Sequence, residues 1–325
     1  MKLAVVVIAR NEGERFKACV ESLRASSEAC VTVYVDSGST DGSVAWARQA
    51  GLEVLELDMS VPFTAARARN AGFRRAQELC PELEYVQFID GDCQIRPEWF
   101  PVALDFMATH PEVAVCCGRR RELYPERSVF NRLCDIEWDT PVGEAKACGG
   151  DALMRVQAFL KVGGYRPDLI AGEEPELCVR LRAQNWKIWR LDCEMTLHDA
   201  AIYRFSQWWR RTLRAGYAFA NGAYLHGAAP EKHWVIETRR ALVWGGVLPM
   251  LGLISWPYFG GSWAVILFVY ALQYARLFKS LPGSIGERRD RSFYLVIGKF
   301  PEVIGCVRFY MDLWRGRAGR IVEYK

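Results

Sequence analysis

The chain has 325 residues, of which 51% are hydrophobic and 13% aromatic, and its formal net charge is +4. That length allows one large domain with an appendage, or two domains. The charge is near balance and the basic residues occur only in local clusters, such as Arg119-Arg120-Arg121 and Arg239-Arg240, which speaks against nucleic acid as a partner and for anionic ligands or lipid headgroups.

Residues 3–9 form a continuous apolar, β-branched run, as expected of a central parallel strand and too short for a signal-peptide core. Arg10-Asn11-Glu12-Gly13 breaks the run, and a helix is predicted over 14–24. A second strand, 31–35, runs into Asp36-Ser37-Gly38-Ser39-Thr40-Asp41-Gly42-Ser43. A helix to about 50 follows, then a short strand over 52–57. The next helix, about 64–78, carries Arg67, Arg69 and Asn70. The strand 85–89 ends in Asp90-Gly91-Asp92, where Gly91 lets the backbone turn. Two hard oxygen donors one residue apart suit Mg²⁺ or Mn²⁺ shared with a diphosphate. They also suit a plain turn whose acids cap the next helix. The alternation predicts an α/β fold with a mostly parallel sheet and helices on both faces. Its strand ends would gather Asp36 and Asp90 along one ligand-binding edge.

Farther along, a strand over 113–118 leads into a basic loop with Arg119, Arg120 and Arg121. Residues 147–151 read as a polar loop, 152–162 as a helix and Gly163-Gly164-Tyr165 as a turn. Gly172-Glu173-Glu174-Pro175-Glu176-Leu177 opens a helix over 175–184, with its acids at the positive end of the dipole. A strand over 187–191 precedes His198-Asp199. Eleven cysteines without C-x-x-C pairs or metal-ligand spacing point to reduced thiols and a cytosolic catalytic part.

Taken in order, Arg10-Asn11-Glu12, Asp36 to Asp41, Arg67-Ala68-Arg69-Asn70, Asp90-Gly91-Asp92, Gly149-Gly150-Asp151 and Gly172 to Leu177 followed by Arg180-Leu181-Arg182 resemble the family-2 glycosyltransferases. Those enzymes have the GT-A fold, a Rossmann-like arrangement, and are inverting and metal-dependent. The resemblance covers about residues 3–215. It implies a nucleotide-sugar donor held by Arg10, Glu12, Asp36, Arg67 and Asp90, with Glu12 and Asp36 at the base and ribose. It implies Mg²⁺ or Mn²⁺ on Asp92, Asp90 and His198, with Asp92 favoured as the direct ligand. Glu174 stands where the family has the aspartate base. The longer side chain there leaves Glu173 as the alternative. Asp151, Arg210 and Arg211 would meet the acceptor or the diphosphate. Gln207-Trp208-Trp209-Arg210-Arg211 departs from the Q-x-x-R-W of processive members, which favours addition of a single sugar. A uridine base is expected from family prevalence.

Residues 241–275 contain no charged residue and are expected to form an apolar hairpin, spanning or re-entrant, with basic flanks on the cytoplasmic side. Apolar residues at steps of three and four over 293–314 predict an amphipathic helix lying on the membrane, which Pro301 should kink or interrupt. The expected domains are 1–215, catalytic, and 216–325, membrane-associated, on the cytoplasmic face of the inner membrane. The expected acceptor is lipid-linked: an undecaprenyl-diphosphate glycan, a polyprenyl phosphate or a membrane glycolipid. Two other readings stand beside this one. A nucleotidyltransferase on a related scaffold would want a Gly- and Lys-rich phosphate loop, which Arg10-Asn11-Glu12-Gly13 is not. A non-catalytic membrane scaffold would have no need of Asp36, Asp90, Asp92 and Glu174 together.

Overall fold

A computed structural model describes residues 2–26, 29–258, 260 and 262–316. The chain divides into two compact units, Met1–Arg127 with Cys134–Ala201, and Ser128–Leu133 with Ile202–Lys325. The boundary thus follows Ala201, whereas the sequence reading placed it at residue 215.

The chain opens with β1 (Leu3–Ala9), α1 (Glu14–Ser26), β2 (Val31–Asp36), α2 (Ser43–Gln49), β3 (Glu53–Glu56), α3 (Ala65–Leu79) and β4 (Tyr85–Asp90). It continues through β5 (Cys93–Ile95), α4 (Trp99–Thr109), β6 (Val113–Glu122), α5 (Val129–Glu137), β7 (Gly143–Ala145), β8 (Ala152–Arg155), α6 (Val156–Lys161), α7 (Glu173–Ala183) and β9 (Lys187–His198). Among the described residues these strands form one sheet in the order β3-β2-β1-β4-β8-β6-β9-β5, with β7 on β9. Strands β1 to β4 pair in parallel. β1 is buried along its whole length, as a central parallel strand covered on both faces must be. Ala9 lies beside Asp36, and Ile8 beside Asp90, so the two acids flank the end of β1.

The second half of the sheet departs from the expected parallel pattern. β8 runs antiparallel between β4 and β6, and the sheet is mixed. Residues 152–162, read as one helix, are a strand followed by a short helix, because Ala152, Leu153 and Met154 are buried between two strands. The expected basic loop is the end of β6. Strand alternation turns Arg119 and Arg121 to one side, where they meet Asp135, Asp139 and Glu194, and Arg120 to the other. β9 runs on from the expected 187–191 to His198. Gly91 does not have the positive φ of a turn glycine. A Cβ there would collide with Ala9, so close approach to β1 is what demands glycine.

The second unit is helical: α8 (Phe205–His226), α9 (Val235–Leu242), a π-helical turn over Val243–Val247, α10 (Leu248–Ser255), α11 (Ser262–Ser280), α12 (Ile285–Ile297) and α13 (Lys299–Trp314). α8 and α13 cross at bare backbone. A Cβ on Gly216 would strike Glu302, one on Gly305 would strike Leu213, and the Cys306 thiol donates to the Gly216 carbonyl at 3.2 Å. The expected single helix over 293–314 is two helices meeting at Gly298. Pro301 sits in the first turn of α13, where a missing N–H costs nothing, so the expected interruption takes the form of a new helix start and not of a kink. The apolar stretch 241–275 is broken at the α10–α11 connection, while the helix runs on from α9 through the π turn into α10. No helix among the described residues is long and apolar enough to cross a membrane, and a spanning reading of 241–275 is corrected accordingly.

Gly72 brings α3 onto the sheet. A Cβ there would collide with Val6 and Val35. Alanine favours a helix over glycine by about 1 kcal/mol, but overpacking a close contact costs about 1–3 kcal/mol. Gly72→Ala is therefore expected to lower the midpoint of urea unfolding by a net amount of order 1 kcal/mol in stability, and an unchanged or higher midpoint would contradict the packing.

Candidate active site

The loops after β1 and β2 are knitted together by short polar side chains. Ser39 Oγ accepts the Asn11 N–H at 2.9 Å, Asn11 Oδ1 accepts the Thr40 N–H at 2.7 Å, and Asp41 Oδ2 accepts the Gly13 N–H at 2.9 Å. Asp36 is buried. It accepts from the Gly38 and Ser39 N–H groups, both at 2.9 Å, and from the Tyr34 hydroxyl at 2.6 Å. These bonds make it a turn residue at the strand-end edge, with β1 between it and Asp90. Glu12 lies 2.6 Å from Arg15, and Arg10 is exposed beside it. Arg67, expected near the base or phosphate, donates to the carbonyls of Val61, Pro62 and Asp58, and so braces the loop before α3.

Arg69, two residues on, is at the centre of the site. It is buried, with Nη2 2.8 Å from Asp90 Oδ1 and Nη1 3.1 Å from Glu173 Oε1 and 2.8 Å from Glu174 Oε1. Three features set this geometry. Thr64 caps α3 by accepting the Arg67 N–H at 3.1 Å. Asn70 exchanges two hydrogen bonds with the Tyr165 backbone, at 2.7 and 3.0 Å, and so fixes the loop before α7. Gly172, at φ +80°, makes the left-handed step that starts α7 with Glu173 and Glu174 in its first turn.

The charges respond to this packing. Burial works against the Asp90 charge, but Arg69 and Arg120 outweigh it and hold the carboxyl at about 2. Glu174 goes the other way: burial, then repulsion from Glu173, push it up to about 7 in spite of Arg69. Asp151, expected at the acceptor or diphosphate, is fully buried beneath the site. It accepts the Asp90 N–H at 3.1 Å and the Thr196 hydroxyl at 2.8 Å, and lies 2.8 Å from Arg120, so it ties β4, β6 and β9 together. Arg210 and Arg211 are on α8 in the second unit.

Asp92 and His198 face each other across β5 and β9, with Oδ2 and Nε2 3.2 Å apart and both residues buried. His198 stacks on Trp138 at 4.7 Å, and Arg120 lies over the same indole at 5.5 Å. Burial, then Arg120, push the imidazole down to about 4, so it is neutral at physiological pH. A divalent ion with ligands at about 2.1 Å sets adjacent ligands about 3 Å apart, so the pair fits one. The surrounding charge fits as well, because Asp90, Asp92, Asp151, Glu173 and Glu174 outnumber Arg69 and Arg120. Cys93 completes the cluster with Asp92 and His198, but burial pushes its thiol well up and a hard ion prefers oxygen. Asp90 groups with Cys93 and Asp151 instead, and its carboxylate is engaged with Arg69.

The family described as Glycosyl transferase family 2 matches residues 4–153, which include Glu12, Asp36, Arg69, Asp90 and Asp92. The matched segment is a family-2 glycosyltransferase domain. Succinoglycan biosynthesis protein ExoA of Rhizobium meliloti (strain 1021) is 26% identical over 267 residues, covering 78% of each chain. Among solved structures, the mannosyltransferase PcManGT from Pyrobaculum calidifontis, in complex with GDP-Man and Mn²⁺, superposes with a TM-score of 0.63 at 17% identity, covering 96% of this chain and 87% of its own. S. aureus TarS 1–349 in complex with UDP-GlcNAc superposes with a TM-score of 0.53 at 15% identity, covering 98% and 93%. At such identities these likenesses concern the fold of the glycosyltransferase alone.

Sequence reasoning passed over Arg69 as a site residue and placed Arg120 in a basic loop that was either solvated or in contact with an acceptor phosphate or lipid headgroup. Each carried a signal. Arg69 falls on the face of α3 formed by Ala66, Phe73 and Ala76, all buried, so a helical period already placed a cation among apolar side chains. Arg120 alternates with two outward arginines on a strand.

Removing the Arg69 charge leaves three carboxylates facing one another. Breaking a buried ion pair from one side costs about 3–5 kcal/mol. Arg69→Gln is expected to lose that much stability at pH 8 and less at pH 5, where the acids, their pKa values raised once the cation is gone, take up protons. An equal loss at both pH values would remove Arg69 from the centre of the cluster.

Proposed function

We propose that this glycosyltransferase moves a single sugar, with inversion, from a nucleoside-diphosphate sugar to a hydroxyl of a membrane lipid-linked acceptor in polysaccharide or glycolipid biosynthesis. The observation that carries the reading is the Arg69 bridge. It holds a carboxylate of raised pKa, Glu174, beside the strand end that bears Asp90 and Asp92. Glu174 accepts the proton of the attacking hydroxyl. A base with a pKa near 7 is matched to that task at neutral pH. Glu173 is the less accessible of the two, at 4% exposure, and shares Arg69, so it serves to raise and orient Glu174. Asp90 stays ionised throughout and cannot exchange protons in this range. Glu12 and Asp36, with Arg10 beside them, would take the base and ribose at the ends of β1 and β2.

Asp92 and His198 would hold Mg²⁺ or Mn²⁺, which would neutralise charge developing on the departing diphosphate. The PcManGT complex with Mn²⁺ supports a divalent ion. The succinoglycan relative supports a role in polysaccharide biosynthesis. The two solved complexes contain guanine and uracil nucleotides, so a donor panel must include both, with uridine the expected base. Membrane contact on the cytoplasmic face of the inner membrane is supported by exposed Met250, Leu251, Leu253 and Ile254 on α10 and Val265, Leu267, Phe268 and Leu272 on α11. An apolar surface of that extent marks an interaction site.

The test is a transfer assay on the detergent-purified chain with UDP-, GDP-, CDP- and dTDP-sugars, the product anomer read by NMR. Glu174→Gln is expected to lower transfer by about 10²–10⁴-fold while the thermal shift given by the nucleotide persists. Asp92→Asn is expected to abolish the part of that shift that depends on Mn²⁺ or Mg²⁺. Full activity in both variants would overturn the assignment. Because the folded pKa of Glu174 is raised and the base acts deprotonated, transfer is expected to fall as pH drops through about 7. A rate that is flat from about pH 6 to pH 8 would remove Glu174 as the base.

A further inference from the structure

Within the helical unit, a cavity of about 360 Å³ is lined by Arg240, Arg276 and Lys299 on one hand and by Trp244, Tyr270 and Val296 on the other. Lys299 is paired with Glu302. Arg240 and Arg276 have no carboxylate partner among the described residues. Both are exposed, and no acidic residue lines the cavity. The Tyr270 hydroxyl is committed to the Trp244 carbonyl, so the two side chains, with ring centroids 5.9 Å apart, offer the cavity mainly their apolar rings.

The position of the two arginines gives the cavity its meaning. Arg240 is the last charged residue before the uncharged run 241–275 and Arg276 the first after it. α10 and α11 fold back on each other, with Gly252 against Trp263 and Ile266, and this return brings the two flanking cations to one cavity. Beyond it the same two helices present exposed Leu251, Ile254, Val265 and Phe268. A cation pair with apolar walls, continuous with an uncovered apolar hairpin, is complementary to an amphiphile with an anionic head. Arginine's planar fork suits phosphate oxygens.

We propose that this cavity binds the head of a phosphate-headed lipid, with Arg240 and Arg276 on the phosphate and the hydrocarbon chain along α10 and α11. The proposal deepens the lipid-linked reading above and rests on it for the choice of a lipid as occupant. Its test does not read sugar transfer, so the two can fail separately. A chain that transfers only to water-soluble acceptors yet binds the probe would sink the acceptor reading and leave this site standing.

The full chain in an uncharged detergent would be titrated calorimetrically with dodecyl phosphate, with dodecanol and with inorganic phosphate. Saturable binding is expected for dodecyl phosphate, with inorganic phosphate failing to displace it at equal concentration. Arg240→Gln with Arg276→Gln is expected to weaken binding by about tenfold or more. Arg239→Gln with Lys279→Gln removes the same charge from the same two helices but outside the cavity lining, and is expected to change binding by less than about twofold. Circular dichroism would confirm that both double variants keep their helix content. If the control pair weakens binding as much as the cavity pair, the attraction is diffuse charge and there is no site. If inorganic phosphate competes on equal terms, the site takes free phosphate and the lipid is wrong. If dodecanol binds as well as dodecyl phosphate, the arginines contribute nothing.

Discussion

Burying a guanidinium costs several kcal/mol of lost hydration unless negative charge surrounds it. Arg69 is buried, and it is stable there because Asp90, Glu173 and Glu174 all lie within 3.1 Å of it. The dependence is mutual. Without the cation, those acids would repel one another and gain protons. One cation shared among three acids also explains why the carboxyls differ so much. Asp90, close to Arg120 as well, is driven down, while Glu174, deep and beside Glu173, is driven up. The site thereby separates a permanently charged carboxylate from one able to exchange a proton near neutrality, using no residue type beyond arginine and acids.

Much of the first unit was readable from its pattern. The apolar run of β1, the polar breaks after β1 and β2, and Asp-Gly-Asp at the end of β4 follow from strand burial and turn chemistry. The ordered motifs from Arg10 to Asp151 fall within the segment that the family-2 glycosyltransferase model matches. What escaped was long-range. β8 is four residues long and is a strand only because β4 and β6 lie on either side of it. Ala-Leu-Met-Arg carries no local mark that separates a short strand from a helix start. Asp151 read as a loop acid that would face a ligand, and burial with three internal partners made it a strut. The resemblance gives Arg67 a donor role and Arg69 none, although the helical period sets Arg69 on the buried face of α3.

In the second unit, composition alone misleads. An uncharged run of 35 residues has the length of a membrane span and more, yet the α10–α11 connection divides it, and no helix among the described residues is long and apolar enough to cross a membrane. Apolar surface is nonetheless left in the open on α10 and α11. The tight α8–α13 crossing, where Gly216 and Gly305 let backbone meet backbone, anchors α13 on α8.

The insertion of β8 has a consequence for synthesis. β1 to β4 all lie within the first ninety residues, so the donor half of the sheet can assemble while the chain is still emerging. The strut that fixes Asp90, however, arrives with Asp151, sixty-one residues later, and Glu173 and Glu174 later still. These contacts wait for residues that are synthesised later. Until then the end of β4 has an open edge where β8 will pair, and an acid without its backbone anchor. A nascent chain therefore builds the nucleotide half first and becomes a catalyst only when the last strands have been threaded beside it.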